Sequence, residues 1–424
     1  MGTITFKIHN IGHNGEGIGS YEGFTFFVEG ALPGEMVEAE IIKQHKNYGR
    51  ARLKKILQSS PQRVEPSCRF FGQCGGCQIM HLSYDQQLGV KRQRVIDALR
   101  RIGKITDVDV APCLPSPLSL NYRNKIQLPV RTGTIGLYAR GTHDIVDVDS
   151  CQIHCALGEE VYKKIRVLAK ETEGLRHILI KTAVNSEEVL VILVTSSGRL
   201  LNDLAKEIMS HCSHVKGVVQ NINDSVGNTI LGKTYKVLAG AGHITEKLCG
   251  LIFKVSPASF FQVNPQQAEC LYAKALEFAE LSGEETVLDA YCGVGTLSLI
   301  FARQAERVIG VECIPEAIED AKGNAQLNQV GNVSFVCADA ESYIQKLTAI
   351  DLVLLNPPRK GCDPAFLEGV KRLHPKKVVY ISCDPATLAR DLSQLCSYGY
   401  KIEAVQPYDM FPQTAHVECV VSLV

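Results

Sequence analysis

Between Thr286 and Glu312 the chain reads strand, glycine turn, helix and strand, an order that requires a parallel sheet with right-handed crossovers. Thr286-Val287-Leu288-Asp289-Ala290 is the first apolar run, Tyr291-Cys292-Gly293-Val294-Gly295 the turn, and Thr296 to Gln304 the predicted helix. The second run, Arg307-Val308-Ile309-Gly310-Val311-Glu312, ends in an acid 23 residues after Asp289. Glycines at such a turn admit a ligand's backbone, and the acid accepts hydrogen bonds from ribose hydroxyls. A third strand is expected to end at Asp339, placed for an adenine amino group, and a fourth, Asp351 to Leu355, runs into Asn356-Pro357-Pro358-Arg359. Only single glycines stand at 293 and 295 and no phosphate-binding lysine follows, which favours S-adenosylmethionine over a dinucleotide or a triphosphate. Lys401 to Val405 and His416 to Leu423 then read as an antiparallel hairpin closing the sheet.

A further strand, Val378-Val379-Tyr380-Ile381, leads into Ser382-Cys383-Asp384-Pro385. Asp384 is a good helix N-cap and Pro385 suits the first helical position, so Cys383 falls where a strand ends and a helix begins. Open α/β sheets bind ligands at that edge, and a helix N-terminus favours thiolate. Cys383 therefore reads as a nucleophile, whereas most of the 16 cysteines should be small buried hydrophobes.

At 424 residues, 45% of them apolar, the chain is too long for one domain. It has no secretory signal at its N-terminus and no apolar run near the roughly 18 residues of a membrane span. A cytoplasmic protein with reduced thiols is expected, with no membrane association and no evident obligate protein partner. Because 45 basic residues balance 45 acidic ones, any affinity for nucleic acid must come from local patches. Lys43, Lys46, Arg50, Arg52, Lys54 and Lys55 form one such patch, with His45 and Tyr48 interleaved and no acid. Alternating strands precede it, Phe24/Phe26/Val28 and Val37/Ala39/Ile41, with turns at Gly30 and Pro33-Gly34. A small barrel of the oligonucleotide-binding type, carrying a basic strand for RNA, is the economical reading; a charged edge that blocks sheet aggregation is the alternative. Residues 58 to 67, with Ser59-Ser60-Pro61 and Pro66, read as the linker after it. A second basic stretch, Lys91 to Lys104, has Leu88, Val95, Leu99 and Ile102 at helical spacing, giving an amphipathic helix whose basic face meets either solvent or RNA.

Cys68-x5-Cys74-Gly75-Gly76-Cys77 places three thiols within ten residues, among glycines that let sulfurs converge. A fourth thiolate would complete a zinc site or an iron–sulfur cluster, and Cys151 and Cys155 are the candidates. From 115 to 255 strand-like and helix-like runs alternate, a mixed α/β domain; within it Asn121-Tyr122-Arg123-Asn124-Lys125 either touches RNA or caps a strand. The expected fold is multidomain α/β: a β-barrel at 1–58, a mixed α/β central domain with the cysteine cluster at 59–255, and a Rossmann-like domain at 256–424.

Taken with Phe260-Phe261-Gln262-Val263-Asn264, Asn356-Pro357-Pro358-Arg359, Ser382 to Arg390 and Gln413-Thr414-Ala415-His416-Val417-Glu418, these features match a family. Over nearly its whole length the chain resembles the RNA uracil-5 methyltransferases, in particular the branch acting on large-subunit (23S) ribosomal RNA with an N-terminal TRAM domain and a four-iron, four-sulfur (4Fe-4S) cluster. The resemblance implies a class I methyltransferase domain, Cys383 as nucleophile and Glu418 as base. It implies that Cys68, Cys74, Cys77 and Cys151 hold the cluster, Cys151 being preferred to Cys155 because the family's fourth ligand follows a short strand like Ile145 to Val148. Gln262, Tyr291, Thr296, Glu312, Asp339 and Asn356 fall at its S-adenosylmethionine positions.

The chemistry accounts for those residue types. Uracil C5 is too weak a nucleophile to attack a methyl sulfonium, so a thiolate first adds at C6 and makes C5 enolate-like. The methylated adduct retains a C5 proton, which a carboxylate must remove before the cysteine can leave. A base stacked inside RNA must first be flipped out, against an aromatic such as Phe260, Phe261 or Phe411. Asn356 stands where the family commonly has aspartate, and Asn-Pro-Pro is closer to enzymes that methylate exocyclic amines. Amine methylation is therefore one alternative; the others are the T-loop of transfer RNA as target and a non-catalytic RNA-binding protein whose cluster senses redox state.

Overall fold

The computed structural model describes residues 2–131, 133–225 and 227–424. Strands β1 (Thr3–Ile11), β2 (Gly17–Tyr21), β3 (Phe24–Val28), β4 (Met36–Gln44) and β5 (Tyr48–Gln58) close into a barrel in the order β1-β2-β3-β5-β4. Two-residue alternation turns Ile4, Phe6, Ile8, Val37, Ala39 and Ala51 into its core and leaves Arg50, Arg52 and Lys54 outside. The stretch beyond β5 is tied back to the barrel, because Arg63 pairs at 2.7 Å with Glu35, whose side chain is fully buried.

The amphipathic helix is present as α1 (Tyr84–Ala98), which continues into a wider turn at Leu99–Gly103. Its basic residues are not one exposed face. Lys91 is fully buried in an ion pair with Asp409, and Arg94 donates to the Ala415 carbonyl at 2.5 Å. Val95 and Leu99 enter the core of the C-terminal sheet, beside Leu288, Tyr380 and Leu392. Burial against that sheet recruits the cations inward, where each needs a partner.

Next come β6 (Lys125–Arg131), β7 (Thr134–Ile135), β8 (Leu137–Tyr138), β9 (Ile145–Val146), α2 (Ala156–Leu168), β10 (Leu175–Ala183), β11 (Glu188–Thr195), α3 (Asn202–His211), β12 (Val215–Ile222) and β13 (Thr234–Gly240). They form a sheet of order β13-β12-β11-β10-β6-β7 and a small β8–β9 ribbon. Helices α2 and α3 cover one face; the hairpin β14 (Ile244–Leu248) and β15 (Leu251–Val255) packs on the other. That two-sided burial is why β10 and β11 read as continuous apolar runs.

The C-terminal part contains α4 (Pro265–Ala279), β16 (Thr286–Ala290), α5 (Thr296–Phe301), β17 (Arg307–Glu312), α6 (Pro315–Leu327), β18 (Val333–Cys337), α7 (Ala340–Ile344), β19 (Leu352–Leu355), α8 (Pro364–Leu373), β20 (Lys377–Ser382), α9 (Pro385–Ser397), β21 (Ile402–Tyr408) and β22 (Glu418–Leu423). The sheet order is β18-β17-β16-β19-β20-β22-β21, with β22 running against its neighbours. Strand order reverses between β16 and β19, and ligands of such sheets bind in the crevice at that point. Helix α5 stops at Phe301, short of the expected Gln304, and the last strand starts at Glu418 and not at His416. Residues 409–416 are instead held as a loop by the central domain: Gln78 and Ile79 amides donate to the Gln413 carbonyl at 3.0 and 3.1 Å, and Tyr122 donates to the Pro412 carbonyl at 3.0 Å. Among the described residues no helix is long and apolar enough to cross a membrane.

Replacing Lys91 by methionine strands the Asp409 carboxylate in the interior. The expected loss is about 3–5 kcal/mol of stability, and Lys91→Met/Asp409→Leu should recover most of it. Denaturant midpoints measure both; a Lys91→Met midpoint equal to that of the native protein would remove the pair as an anchor.

Candidate active site

Five residues singled out in the sequence arrive at one edge because parallel strands all end on the same side. Tyr291 follows β16, Glu312 ends β17, Asp339 lies beyond β18, Asn356 follows β19 and Cys383 follows β20; Thr296 opens α5. Gly295 has φ +81°, and a Cβ there would stand 2.7 Å from the Phe335 ring, so only glycine makes this turn. The Glu312 carboxylate accepts from the Gly293 and Ile314 amides at 3.2 and 3.1 Å, bracing the turn against the acid. Asp289 is fully buried and accepts from the Ser298 hydroxyl at 2.5 Å, while its Oδ1 has no partner; burial pushes its carboxyl up to about 7. Among the described residues the side chains of Asp339 and Asn356 also take no hydrogen-bond partner. A glycine turn at the sheet's switch point, with the Glu312 carboxylate against it and the exposed Asp339 and half-buried Asn356 side chains open to a ligand, suits a nucleoside-bearing molecule such as S-adenosylmethionine.

Gln262 reaches the site from the loop before α4. Asn124 holds that loop, its amide donating to the Val263 carbonyl at 2.8 Å and its side chain to the Gln262 carbonyl at 3.1 Å. Buried Lys181 donates to the carbonyls of Ser256 and Ser259 at 2.9 and 2.8 Å, and Asn264 ties the loop to the Met410 carbonyl at 3.2 Å. Tyr122 and Asn124, from the polar cluster left open between RNA contact and strand cap, thus hold two loops of the site. Phe260 is largely exposed beside it, whereas Phe261 packs on Phe253.

Ser382 pairs with Cys419 across β20 and β22, so the next antiparallel positions, Cys383 and Glu418, stand opposite one another. Glu418 is 3% exposed, and burial pushes its carboxyl up to about 7 against the pull of Arg359. The Cys383 thiol is pushed up to about 11 by burial, then by Glu418, and is drawn down by Arg359. The expectation that the helix terminus favours a thiolate here is corrected: the start of α9 is occupied by the Asp384 carboxylate, which accepts from the Ala386 and Thr387 amides at 2.8 and 3.3 Å. Arg359, exposed and without an ion-pair partner among the described residues, is the cation that both groups feel. It was not among the expected site residues, although its place at the end of Asn-Pro-Pro-Arg, after a strand, was the available signal.

Cys68, Cys74, Cys77 and Cys151 line one cavity of about 350 Å³, and Arg123, Arg359, Phe411 and His416 line it too. Cys155 is buried at the start of α2 and is not part of that lining. Among the described residues no three His, Cys, Asp or Glu side chains stand close enough to hold a single metal ion. Four thiols on one cavity wall are the donor type that zinc and iron–sulfur groups both take, and the same wall carries the cations Arg123 and Arg359. Burial pushes the Cys151 thiol up to about 11, and burial with the neighbouring cysteines pushes Cys77 higher still. A cationic core would reverse both.

Comparison with known proteins agrees with this architecture. A family described as tRNA (Uracil-5-)-methyltransferase matches residues 219–424, and the TRAM domain matches residues 3–54. A protein of Halalkalibacterium halodurans described as an uncharacterized RNA methyltransferase is 44% identical, with 99% of this chain and 96% of that protein covered. One of Listeria innocua, so described as well, is 42% identical, with 99% and 97% covered. The crystal structure of Pyrococcus abyssi tRNA (uracil-54, C5)-methyltransferase in complex with S-adenosyl-L-homocysteine superposes with a TM-score of 0.81 at 29% identity, covering 99% of this chain and 100% of that one. The chain belongs to the RNA uracil-5-methyltransferase family: it is an S-adenosylmethionine-dependent RNA (uracil-5-)-methyltransferase with an N-terminal TRAM barrel.

Proposed function

We propose that the protein methylates C5 of a specific uridine in large-subunit (23S) ribosomal RNA in the cytoplasm, with Cys383 as nucleophile and Glu418 as base. The observation that carries this reading is the placement of Cys383 opposite Glu418 at the sheet edge where the cofactor positions collect. Bound S-adenosylmethionine, held by Gln262, Tyr291, Thr296, Glu312, Asp339 and Asn356, supplies an electrophilic methyl group. Cys383 as thiolate forms a bond to uracil C6, which raises electron density at C5. Once C5 is alkylated, Glu418 takes the C5 proton, the C5–C6 double bond re-forms and Sγ departs as thiolate. Arg359 favours the anionic forms of both groups. Exposed Lys43, Lys46, Arg50 and Arg52 on the barrel supply the local positive field that a chain of zero net charge needs for RNA. Transfer RNA is the second reading, favoured by the substrate named for the Pyrococcus abyssi enzyme.

Cys68, Cys74, Cys77 and Cys151 are proposed to hold the four-iron, four-sulfur cluster, which would fix the 68–77 segment and help to position RNA. The proposed division is 1–58, 59–255 and 256–424, with α1 lent by the middle part to the core of the last.

Tritium release from RNA labelled at uracil C5, on ribosomal and transfer RNA transcripts in parallel, tests the reaction and its substrate. Release should occur with the native protein on ribosomal RNA and vanish in Cys383→Ala, while Glu418→Gln should accumulate a denaturant-resistant RNA–protein adduct. Methyl transfer without release would instead indicate an amine target, as Asn356 suggests.

The pH profile follows from the same groups. Glu418 must be ionised to accept a proton, so single-turnover rates should fall as pH drops below about 7 and rise toward high pH as the Cys383 thiol, at about 11, ionises. Arg359→Leu, by removing the cation that lowers both, should move the acid limb to higher pH; an unmoved limb would separate Arg359 from these groups.

Anaerobically purified Cys151→Ser should lose most of its iron and visible absorbance, while Cys155→Ser keeps both. The reverse result would exchange the two ligands.

A further inference from the structure

The barrel loop joining β1 to β2 is seated on the central domain. Gly15 has φ +81°, and a Cβ there would lie 2.6 Å from the Gln78 Cβ, so the loop follows that segment closely. The same loop carries His13, exposed to solvent. Its Nδ1 is 2.5 Å from Arg94 Nη2. A guanidinium has donors only, so Nδ1 must accept, and the ring proton sits on Nε2. Arg94 is itself fixed by the Ala415 carbonyl, and the His13 ring meets the His416 ring edge-on at 6.5 Å.

Four charged groups lie close enough to act on the His13 ring electrostatically: Arg94, Asp384, Glu16 and Arg359, of which Arg94 touches it. Both acids are engaged elsewhere, Asp384 in capping α9 and Glu16 in accepting from the Asn14 amide and side chain at 3.0 and 3.1 Å. Arg359 alone is without a partner among the described residues. The His13 ring lies 6.5 Å from the His416 ring, and His416 and Arg359 line one cavity, so an imidazole N–H from the barrel and a free guanidinium from the catalytic domain approach the same rim. Two such donors, one of them charged, match a phosphodiester oxygen pair.

We propose that His13 and Arg359 together bind one backbone phosphate of the RNA, adjacent to the uridine whose base enters between Cys383 and Glu418. This rests on the RNA uracil-5 reading. It assigns the barrel a register function: the grip on RNA and the chemical step are set by one loop, so the phosphate that His13 holds determines which base can reach the thiol.

The test uses the full-length protein and a short RNA stem-loop substrate, native or with a single neutral methylphosphonate at each phosphate flanking the target uridine in turn. His13→Phe keeps the ring and removes the donor; His13→Gln keeps a donor. His13→Phe should raise KM for RNA about tenfold with KM for S-adenosylmethionine unchanged, and His13→Gln should recover most of that loss. One methylphosphonate should cost the native protein a similar factor and cost His13→Phe nothing further. Equal methylphosphonate penalties in both proteins, or a His13→Phe variant with native KM for RNA, would overturn the site. Equal damage in both His13 variants together with a raised KM for S-adenosylmethionine would mark a merely structural role and overturn it as well. Fluorescence anisotropy of RNA binding reads the same comparison without turnover. Absent tritium release from the native protein would therefore sink the methylation reading while leaving the phosphate site separately tested.

Discussion

The buried Lys91–Asp409 pair holds together parts of the chain that would otherwise have no reason to meet. Both side chains are fully buried, and Lys91 also donates to the Phe411 carbonyl at 3.1 Å. Two charges removed from water are tolerated only when their geometry and remaining hydrogen bonds are satisfied, so the contact specifies a position. Gln87 adds a reciprocal pair with Gln413, donating at 3.0 Å and accepting at 3.1 Å. The loop at 409–416 is therefore shaped by α1 and its approach, and that loop sets where β22 begins. Since β22 opens with Glu418, the proposed base owes its position to a lysine more than 300 residues away in sequence.

Around this anchor the electrostatics are arranged by burial. Glu418 and Cys383 are both held toward their neutral forms by burial, and the Glu418 carboxylate adds to the cost of ionising Cys383. Arg359 is the counterweight, an exposed cation in the turn four residues beyond the end of β19. It also lines the cysteine cavity, as do Phe411 and His416, so that cavity and the methyl-transfer edge share walls. A rearrangement of the 68–77 segment would reach the 409–416 loop through Gln78, whose amide donates to the Gln413 carbonyl and whose side chain accepts from the Ala415 amide at 3.4 Å.

How much of the site could be read in advance depended on how local its cause was. Tyr291, Glu312, Asn356 and Cys383 each sit at the end of an apolar run, and a parallel sheet brings such ends together whatever the loops do. Three things escaped that logic. Lys91 and Arg94 look like members of a basic face, because helical periodicity does not reveal that α1 is packed on both sides. Asn124 and Lys181 look like surface polar residues, yet they hold the loop carrying Gln262. The Cys383 thiol was expected to benefit from a helix terminus, and the neighbouring Asp384 takes that place.

By itself, then, the amino-acid order determined the elements and their residue types: the alternation of the barrel, the strand–turn–helix repeat of the sheet, the place of Cys383, the proposed nucleophile, after β20 and the cysteine spacing. Hydrophobic period and turn chemistry act over a few residues and are written directly in sequence. Only the tertiary structure decided which distant groups meet: Glu418 opposite Cys383, Arg359 close enough to act on both, four cysteines lining one cavity, and His13 of the barrel against Arg94. Those meetings follow from buried side chains finding partners across domains, a constraint satisfied by the whole packed chain and carried by no single segment of it.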